Sequence, residues 1–316
     1  MSDEKKYQKK VIFIGMPDTA YLTLHALHDI GTNIVAVITP PENHPTCMAF
    51  SQYAKNWGYN VISPKKSINE SEIIKEVSKY NADVALVTSY SQKFSKELLN
   101  TTKDGFVNVH PSLLPEYRGA NPYSHVLINN EKHTGVTIHK MTEEFDSGNI
   151  LMQNQIQIAP NDTMGTLFNK LNRLSCEMLV KFIQDYEEYG MQEGVSQAEL
   201  PQPKRVASKI LPESDFTKIN WNKSATEIEA LIRGLNPFLP AGTTFKGINL
   251  KIFSAEVVAK KTSYAVGQVC NLGETIDVAT GNGILKIRTL QLGSFFIGSA
   301  RDFRERVKIS LGDTFV

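Results

Sequence analysis

The chain has 316 residues, more than one hydrophobic core ordinarily organises, so two domains are expected. A hydrophobic content of 41% with ordinary numbers of Gly and Pro excludes a disordered or fibrous chain. Lys+Arg 34 against Asp+Glu 33 leaves no bulk charge that calls for a polyanion, although residues from Pro201 onward carry 16 basic and 10 acidic side chains, a net of +6, and the first 200 net −5.

The N-terminal MSDEKKYQKK is too polar for a secretory signal, and no apolar run approaches membrane-spanning length, so a cytoplasmic protein with no membrane partner is expected. Residues 11–15 (VIFIG) form a short apolar run of the buried parallel-strand type. Asp18 sits where a helix N-cap belongs, ahead of an amphipathic stretch at 21–30. A second apolar run at 34–38 (IVAVI) ends at Pro40-Pro41. After it come a helix near 48–57, a strand near Val61, a helix at 70–80 and a strand at 84–87. Strands alternating with helices predict an open, mostly parallel α/β sheet of Rossmann-like type, whose ligands bind beyond the strand carboxyl ends. Residues 134–141 and 151–158 read as a hairpin, and a long helix at 163–186 closes a first domain of residues 1–189. Gly190, Gly194, Pro201 and Pro203 in an apolar-poor stretch read as a linker at 190–208. The domain at 209–316 opens with a helix at 224–233 and continues in short strands at 250–258, 266–270, 275–279 and 284–290, which predicts a small OB-like β-barrel.

The informative stretch is NVHPSLLPEYRG at 108–119. If 106–109 is a strand, Asn108 and His110 project from one face about 7 Å apart. An amide and an imidazole at a strand's carboxyl end suit oxyanion stabilisation and proton handling. Pro111 then forces the chain out of the sheet. TGVTIHKM at 134–141, followed by EEFDSG at 143–148, places Asp146 where a carboxylate can stand beside His110, orient its ring and raise its pKa. Without such a partner, a strand histidine is ordinarily structural and Asp146 a turn residue beside Gly148. His125 and His133 read as solvated, and His139 as packing or as a support behind the catalytic groups rather than one of them. Cys47, Cys176 and Cys270 are far apart and form no zinc pattern, so no metal is expected.

These two stretches resemble the signature of the folate-dependent formyltransferases, whose members act on glycinamide ribonucleotide, methionyl-tRNA or sugar nucleotides. The resemblance covers nearly the whole chain, including a C-terminal domain with Lys209-Ile210, Ile219-Asn220-Trp221 and Asn236-Pro237. It implies that Asn108, His110 and Asp146 are a catalytic trio, with the amide and a protonated imidazole steadying the oxyanion as an amine attacks the formyl carbon of N10-formyltetrahydrofolate. It implies that Ser112, Leu113, Leu114 and Pro115 line the folate site, with Gln92, Lys93 and Phe94 at a further contact. Arg118 matches an arginine facing the acceptor.

Within that family the methionyl-tRNA enzymes usually carry a longer basic insertion after the second strand and a Gly-Lys-Lys turn late in the second domain. Here residues 39–46 read TPPENHPT, without Lys or Arg, and 292–297 read LGSFFI. These departures, with Pro111 and His139, favour a small amine such as an amino-sugar nucleotide. Initiator methionyl-tRNA is the alternative, supported by Gly15-Met16-Pro17-Asp18 and the basic C-terminal domain. A hydrolase of the same fold usually carries an N-terminal regulatory domain not found in this sequence, and a binding module would not need the trio.

Overall fold

In the computed structural model, residues 7–64, 70–90, 92–294 and 296–316 are described, so Phe295 of the 292–297 turn lies outside the described residues. The chain divides into two compact units, the first built from 1–119, 134–156 and 169–206, the second from 120–133, 157–168 and 207–316.

The first unit begins with β1 (Val11–Gly15), α1 (Pro17–Asp29), β2 (Ile34–Ile38), α2 (Pro45–Asn56), β3 (Val61–Ile62), α3 (Glu70–Ser78), β4 (Val84–Thr88), α4 (Lys96–Leu99) and β5 (Phe106–His110). Every residue of β1 and β4 is buried, as continuous apolar runs in a doubly covered parallel sheet must be. Helix α1 starts two residues earlier than an Asp18 N-cap suggests. Pro17 takes the first helical position, Met16 is the N-cap, and Asp18 falls in the first turn, where its charge still complements the helix dipole.

After β6 (Arg118–Gly119) and α5 (Pro122–Ile128), the hairpin β7 (His133–Lys140) and β8 (Ile150–Gln157) completes a seven-stranded sheet of order β3-β2-β1-β4-β5-β7-β8. The β3-β2-β1-β4-β5 part is parallel, and β7 runs antiparallel to β5 in a register that sets Asn108 opposite His139 and His110 opposite Thr137. Because β7 is antiparallel, its last residues reach the amino end of β5, where the Met141 amide donates to the Phe106 carbonyl at 2.8 Å, and the β7–β8 loop must fold back along β5 to approach Asn108 and His110. Helix α6 (Met164–Tyr189) follows, and then β9 (Val206–Ala207). The stretch read as a linker is partly ordered inward: it contains a 3-10 turn, Gln197–Glu199, whose Gln197 is only 3% exposed.

In the second unit α7 (Ala225–Leu235) is started by a reciprocal capping box, with Ser224 accepting from the Glu227 amide and the Glu227 carboxylate bonded in return. Its buried Ile228, Ile232 and Leu235 lie at helical spacing. Helix α5 packs on it so closely that a side chain at Gly234 would meet Ile128 Cγ1 at 2.5 Å. The strands β10 (Ala241–Phe245), β11 (Ile248–Val258), β12 (Val269–Leu272), β13 (Ile276–Ala279), β14 (Ile284–Leu292) and β15 (Phe296–Ser299) form an antiparallel sheet of order β10-β11-β14-β13-β12, with β15 on β14. It is barrel-like rather than closed. Its core gathers Trp221, Phe245 and Phe315 together with Phe303 from α8 (Ala300–Arg306). His125, expected in solvent, is buried instead: its Nε2 lies 2.9 Å from the Ser208 carbonyl oxygen, a partner 83 residues away.

Candidate active site

Asn108 and His110 alternate with buried valines on β5, so both side chains leave the same face of the strand. The ring of His110 is 4% exposed, and its Nε2 lies 2.9 Å from the Tyr117 carbonyl oxygen. That contact makes Nε2 the donor and leaves Nδ1 facing Asp146. Tyr117 holds a left-handed φ of 58°, a conformation costly for a bulky residue and kept only where its surroundings over-determine it. Its amide donates to the Arg205 carbonyl at 2.9 Å, which helps hold it there.

Asp146 comes from the β7–β8 loop, also at a left-handed φ of 52°. Its Oδ2 accepts from the Gly119 amide at 2.9 Å. Its Oδ1 is met at 3.5 Å by three nitrogens: His110 Nδ1, His139 Nε2 and Asn108 Nδ2. Contacts of that length are loose for hydrogen bonds, a common state of catalytic groups before substrate binds. His139, read from sequence as a packing residue or a support behind the catalytic groups, touches Asn108 and Asp146 directly. It is 1% exposed, its Nδ1 donates to the Lys140 carbonyl at 2.8 Å, and its Nε2 lies 3.2 Å from Asn108 Nδ2. As it stands, the Asn108 amide directs its two N–H bonds to His139 and Asp146, so it must redirect one to serve an external oxygen.

Burial works to raise the Asp146 carboxyl, yet the neighbouring His110 and His139 and the Gly119 amide together hold it at about 2. His110 moves the other way from the sequence expectation. Burial pushes it below its ordinary value, outweighing the Asp146 carboxylate and the Tyr117 carbonyl that favour its protonated form. A neutral imidazole with its open nitrogen beside a carboxylate can accept a proton and be stabilised as it does so. The protonated resting form implied by the resemblance is not favoured.

A narrow cleft of about 30 Å³, room for a single water, opens beside Asn108 and Asp146. It is lined by Tyr90, Gln92, Lys93, Phe94, Met141 and residues 142–145, so the Gln92–Lys93–Phe94 prediction falls at the site. The Tyr90 hydroxyl is buried there without a hydrogen-bond partner among the described residues, and burial pushes its pKa up to about 12. Lys93 and Glu144, both in the lining, pair at 2.9 Å. Ser112, Leu113, Leu114 and Pro115 do not line this cleft. The Ser112 hydroxyl is fully buried and donates to the Glu116 carbonyl at 2.7 Å, and Leu114 packs inward. Thr137 ties that turn down, donating to the Ser112 carbonyl at 2.6 Å and accepting from the Leu114 amide at 3.1 Å. Arg118 is half-buried and its Nε and Nη2 donate to Gln197 Oε1 at 3.1 and 2.6 Å. Among the described residues no group of three or more His, Cys, Asp or Glu side chains is arranged to hold a metal ion, and no helix is long and apolar enough to cross a membrane.

Residues 9–183 match the family described as formyl transferase, and residues 213–306 match the formyl transferase C-terminal domain. The methionyl-tRNA formyltransferase of Agathobacter rectalis is 36% identical over 290 residues, spanning 90% of this chain and 92% of that protein. The one from Lachnospira eligens is 34% identical over 311 residues, spanning 92% and 96%. Among solved structures, a sugar 3N-formyl transferase crystallised with dTDP and 5-N-formyl-THF superposes with a TM-score of 0.68 at 19% identity, over 91% of this chain and 99% of that one. The Helicobacter canadensis N-formyltransferase, in complex with folinic acid and dTDP-3-aminofucose, also gives 0.68, at 21% identity over 89% and 98%. With both of its domains matched and relatives above 30% identity along nearly its full length, the chain belongs to the formyl transferase family.

Proposed function

We propose that the chain moves a formyl group from N10-formyltetrahydrofolate to the amine of methionyl-tRNA, with Asn108, His110 and Asp146 as the reacting cluster. The observation that carries the chemistry is the convergence of three nitrogens on one Asp146 oxygen at the carboxyl edge of β5. The cleft beside them has room for only a single water as it stands, so a heteroaromatic donor has to widen it, but the surface it would meet is suited to a ring. Its walls are aromatic and apolar at Tyr90, Phe94, Met141 and Phe145, and the Tyr90 hydroxyl offers an unused polar contact.

When bound, the folate supplies the activated formyl carbon. The Tyr117 carbonyl keeps His110 oriented through Nε2, and Asp146, facing Nδ1, stabilises the imidazolium formed when that nitrogen takes a proton from the attacking amine. The same proton is then available to the departing folate nitrogen. Asn108 turns one N–H from Asp146 toward the formyl oxygen as negative charge develops there. His139 keeps the Asn108 amide aimed. The overall balance is amine plus formyl-folate giving formyl-amine plus tetrahydrofolate.

For the acceptor, the relatives support methionyl-tRNA better than the amino-sugar nucleotide preferred from sequence. Methionyl-tRNA formyltransferases share 31–36% identity over 90% or more of both chains, whereas the sugar enzymes share the fold at 19–21%. An aminoacyl-tRNA acceptor also places the work in the cytoplasm. One observation favours the amino-sugar reading: the loop after β2 carries no cation between Thr39 and Thr46, and its Glu42 is turned back onto Ser51 and Lys55. Tetrahydrofolate release measured with methionyl-tRNA, uncharged tRNA and dTDP- or UDP-amino sugars separates the two. Turnover of an amino sugar with none of methionyl-tRNA would reject the acceptor proposed here, and release without any acceptor would indicate a hydrolase.

A further inference from the structure

We infer that Gln197 is the positioning residue that aims Asp146 and Arg118 together, an inference that rests on the reading of Asp146 as part of the reacting cluster. Gln197 lies 51 residues beyond Asp146, in the 3-10 turn Gln197–Glu199, and its side chain uses its full hydrogen-bonding capacity in the interior. Nε2 donates to the Asp146 carbonyl at 2.9 Å and to the Gly148 carbonyl at 2.7 Å. Oε1 accepts Nε and Nη2 of Arg118 at 3.1 and 2.6 Å. This orientation alone pairs each donor with an acceptor, because the flipped amide would set N–H groups against a guanidinium and an oxygen against two carbonyls.

The physical need for such a clamp is visible in the loop it grips. Asp146 sits in the left-handed region, which a non-glycine residue leaves unless neighbours hold it. Its carboxylate is held in front by the Gly119 amide, and its backbone from behind by Gln197. Gly119 adjoins Arg118 in β6, so one glutamine controls the segment that bonds the carboxylate and the arginine next to it. Moving the Asp146 peptide would carry Oδ1 away from His110 and Asn108 together. Displacements of about 1 Å in such clusters cost on the order of 100-fold in rate.

The test uses the full chain with formyl-tetrahydrofolate and methionyl-tRNA, measuring kcat and KM separately. Gln197→Glu keeps an acceptor for Arg118 but turns a carboxylate oxygen on two carbonyls. It should lower kcat roughly 10- to 100-fold and leave the acceptor KM within about 3-fold. Gln197→Met loses both halves and should lower kcat and raise acceptor KM. If Gln197 acts through Asp146, the Asp146→Asn/Gln197→Glu double variant is no slower than Asp146→Asn alone. A folded Gln197→Glu protein with normal kcat, while Asp146→Asn is inactive, overturns the role of Gln197 only. Independent, multiplicative losses in the double variant, or losses that merely track the folded fraction, overturn it as well. Full activity of Asp146→Asn overturns the reading of the cluster, and this proposal with it.

Discussion

His110 and Asp146 face each other at 3.5 Å, Nδ1 to Oδ1, with 5% and 10% of their side chains exposed. Water is nearly excluded from the pair, so its electrostatics are strong, and each group depends on the other for its ionisation. The remaining nitrogen of the imidazole is committed to the Tyr117 carbonyl, which leaves Nδ1 as the position where a proton can be gained or lost.

Replacing either group should therefore remove chemistry rather than binding. His110→Ala and Asp146→Asn are each expected to lower kcat by about 10²- to 10⁴-fold, the range that positioned acid–base groups supply. Binding of the folate, followed by direct titration, should change little if it occupies the cleft as proposed, against Tyr90, Phe94, Met141 and Phe145. Near-normal kcat in either variant would assign the proton handling elsewhere.

Acid sensitivity follows from the same pair. His110 is pushed below its ordinary value by burial, so the unfolded chain binds that proton more readily. Its contribution to stability is whole above about pH 6.5 and lost as pH falls from there toward the folded value. Asp146 is held at about 2, so its contribution is whole above about pH 4 and lost only as pH falls toward 2, an effect on the order of 2 kcal/mol. Melting temperatures taken between pH 8 and 5 should thus fall on acidification in the native chain and fall less steeply in His110→Gln. Parallel slopes would show that another group controls the acid limb.

Much of this arrangement could be read from residue order, and the parts that could not share a cause. A strand's local two-residue period puts Asn108 and His110 on one face, while the family resemblance, and not the turn before Gly148, joins Asp146 to them. His139 was within reach, since pairing the strand at 106–110 with the one at 134–141 sets it opposite Asn108. Gln197 carried no such signal. A single buried amide in an apolar-poor stretch has no periodicity, and its partners at 118, 146 and 148 are tertiary. His125 was misread for the same reason, its partner being the Ser208 carbonyl. Ser112 and Leu114 sit in a motif that suggested a lining, but Thr137 and Glu116 turn both inward.

Tyr90→Phe separates stability from ligand binding by sign. The hydroxyl is buried with no partner among the described residues, a state that costs roughly 1–3 kcal/mol. Removing it should raise the melting temperature of the ligand-free protein. If the folate supplies the missing partner, the same variant should bind folate several-fold more weakly, equivalent to about 1 kcal/mol. A stabilised variant with unchanged folate affinity would place the donor's polar contacts elsewhere in the cleft.

Gly148→Ala tests whether the loop carrying Asp146 tolerates any displacement. A β-carbon at residue 148 would stand 1.9 Å from the Lys140 carbonyl oxygen and 2.8 Å from its carbon, both rigid backbone atoms at the end of β7. The hairpin loop must move to accept it. Movement breaks the hydrogen bond from Gln197 to the Gly148 carbonyl and shifts the Asp146 carboxylate from the Gly119 amide. The expected result is a folded protein, destabilised by about 1–3 kcal/mol, whose kcat falls by at least 10-fold. Because Tyr90, Lys93 and Phe94 of the cleft wall come from the segment after β4 and not from this loop, folate KM should rise less than kcat falls. A variant that lost folate binding while keeping kcat at saturation would show that the loop serves the donor site and not the carboxylate.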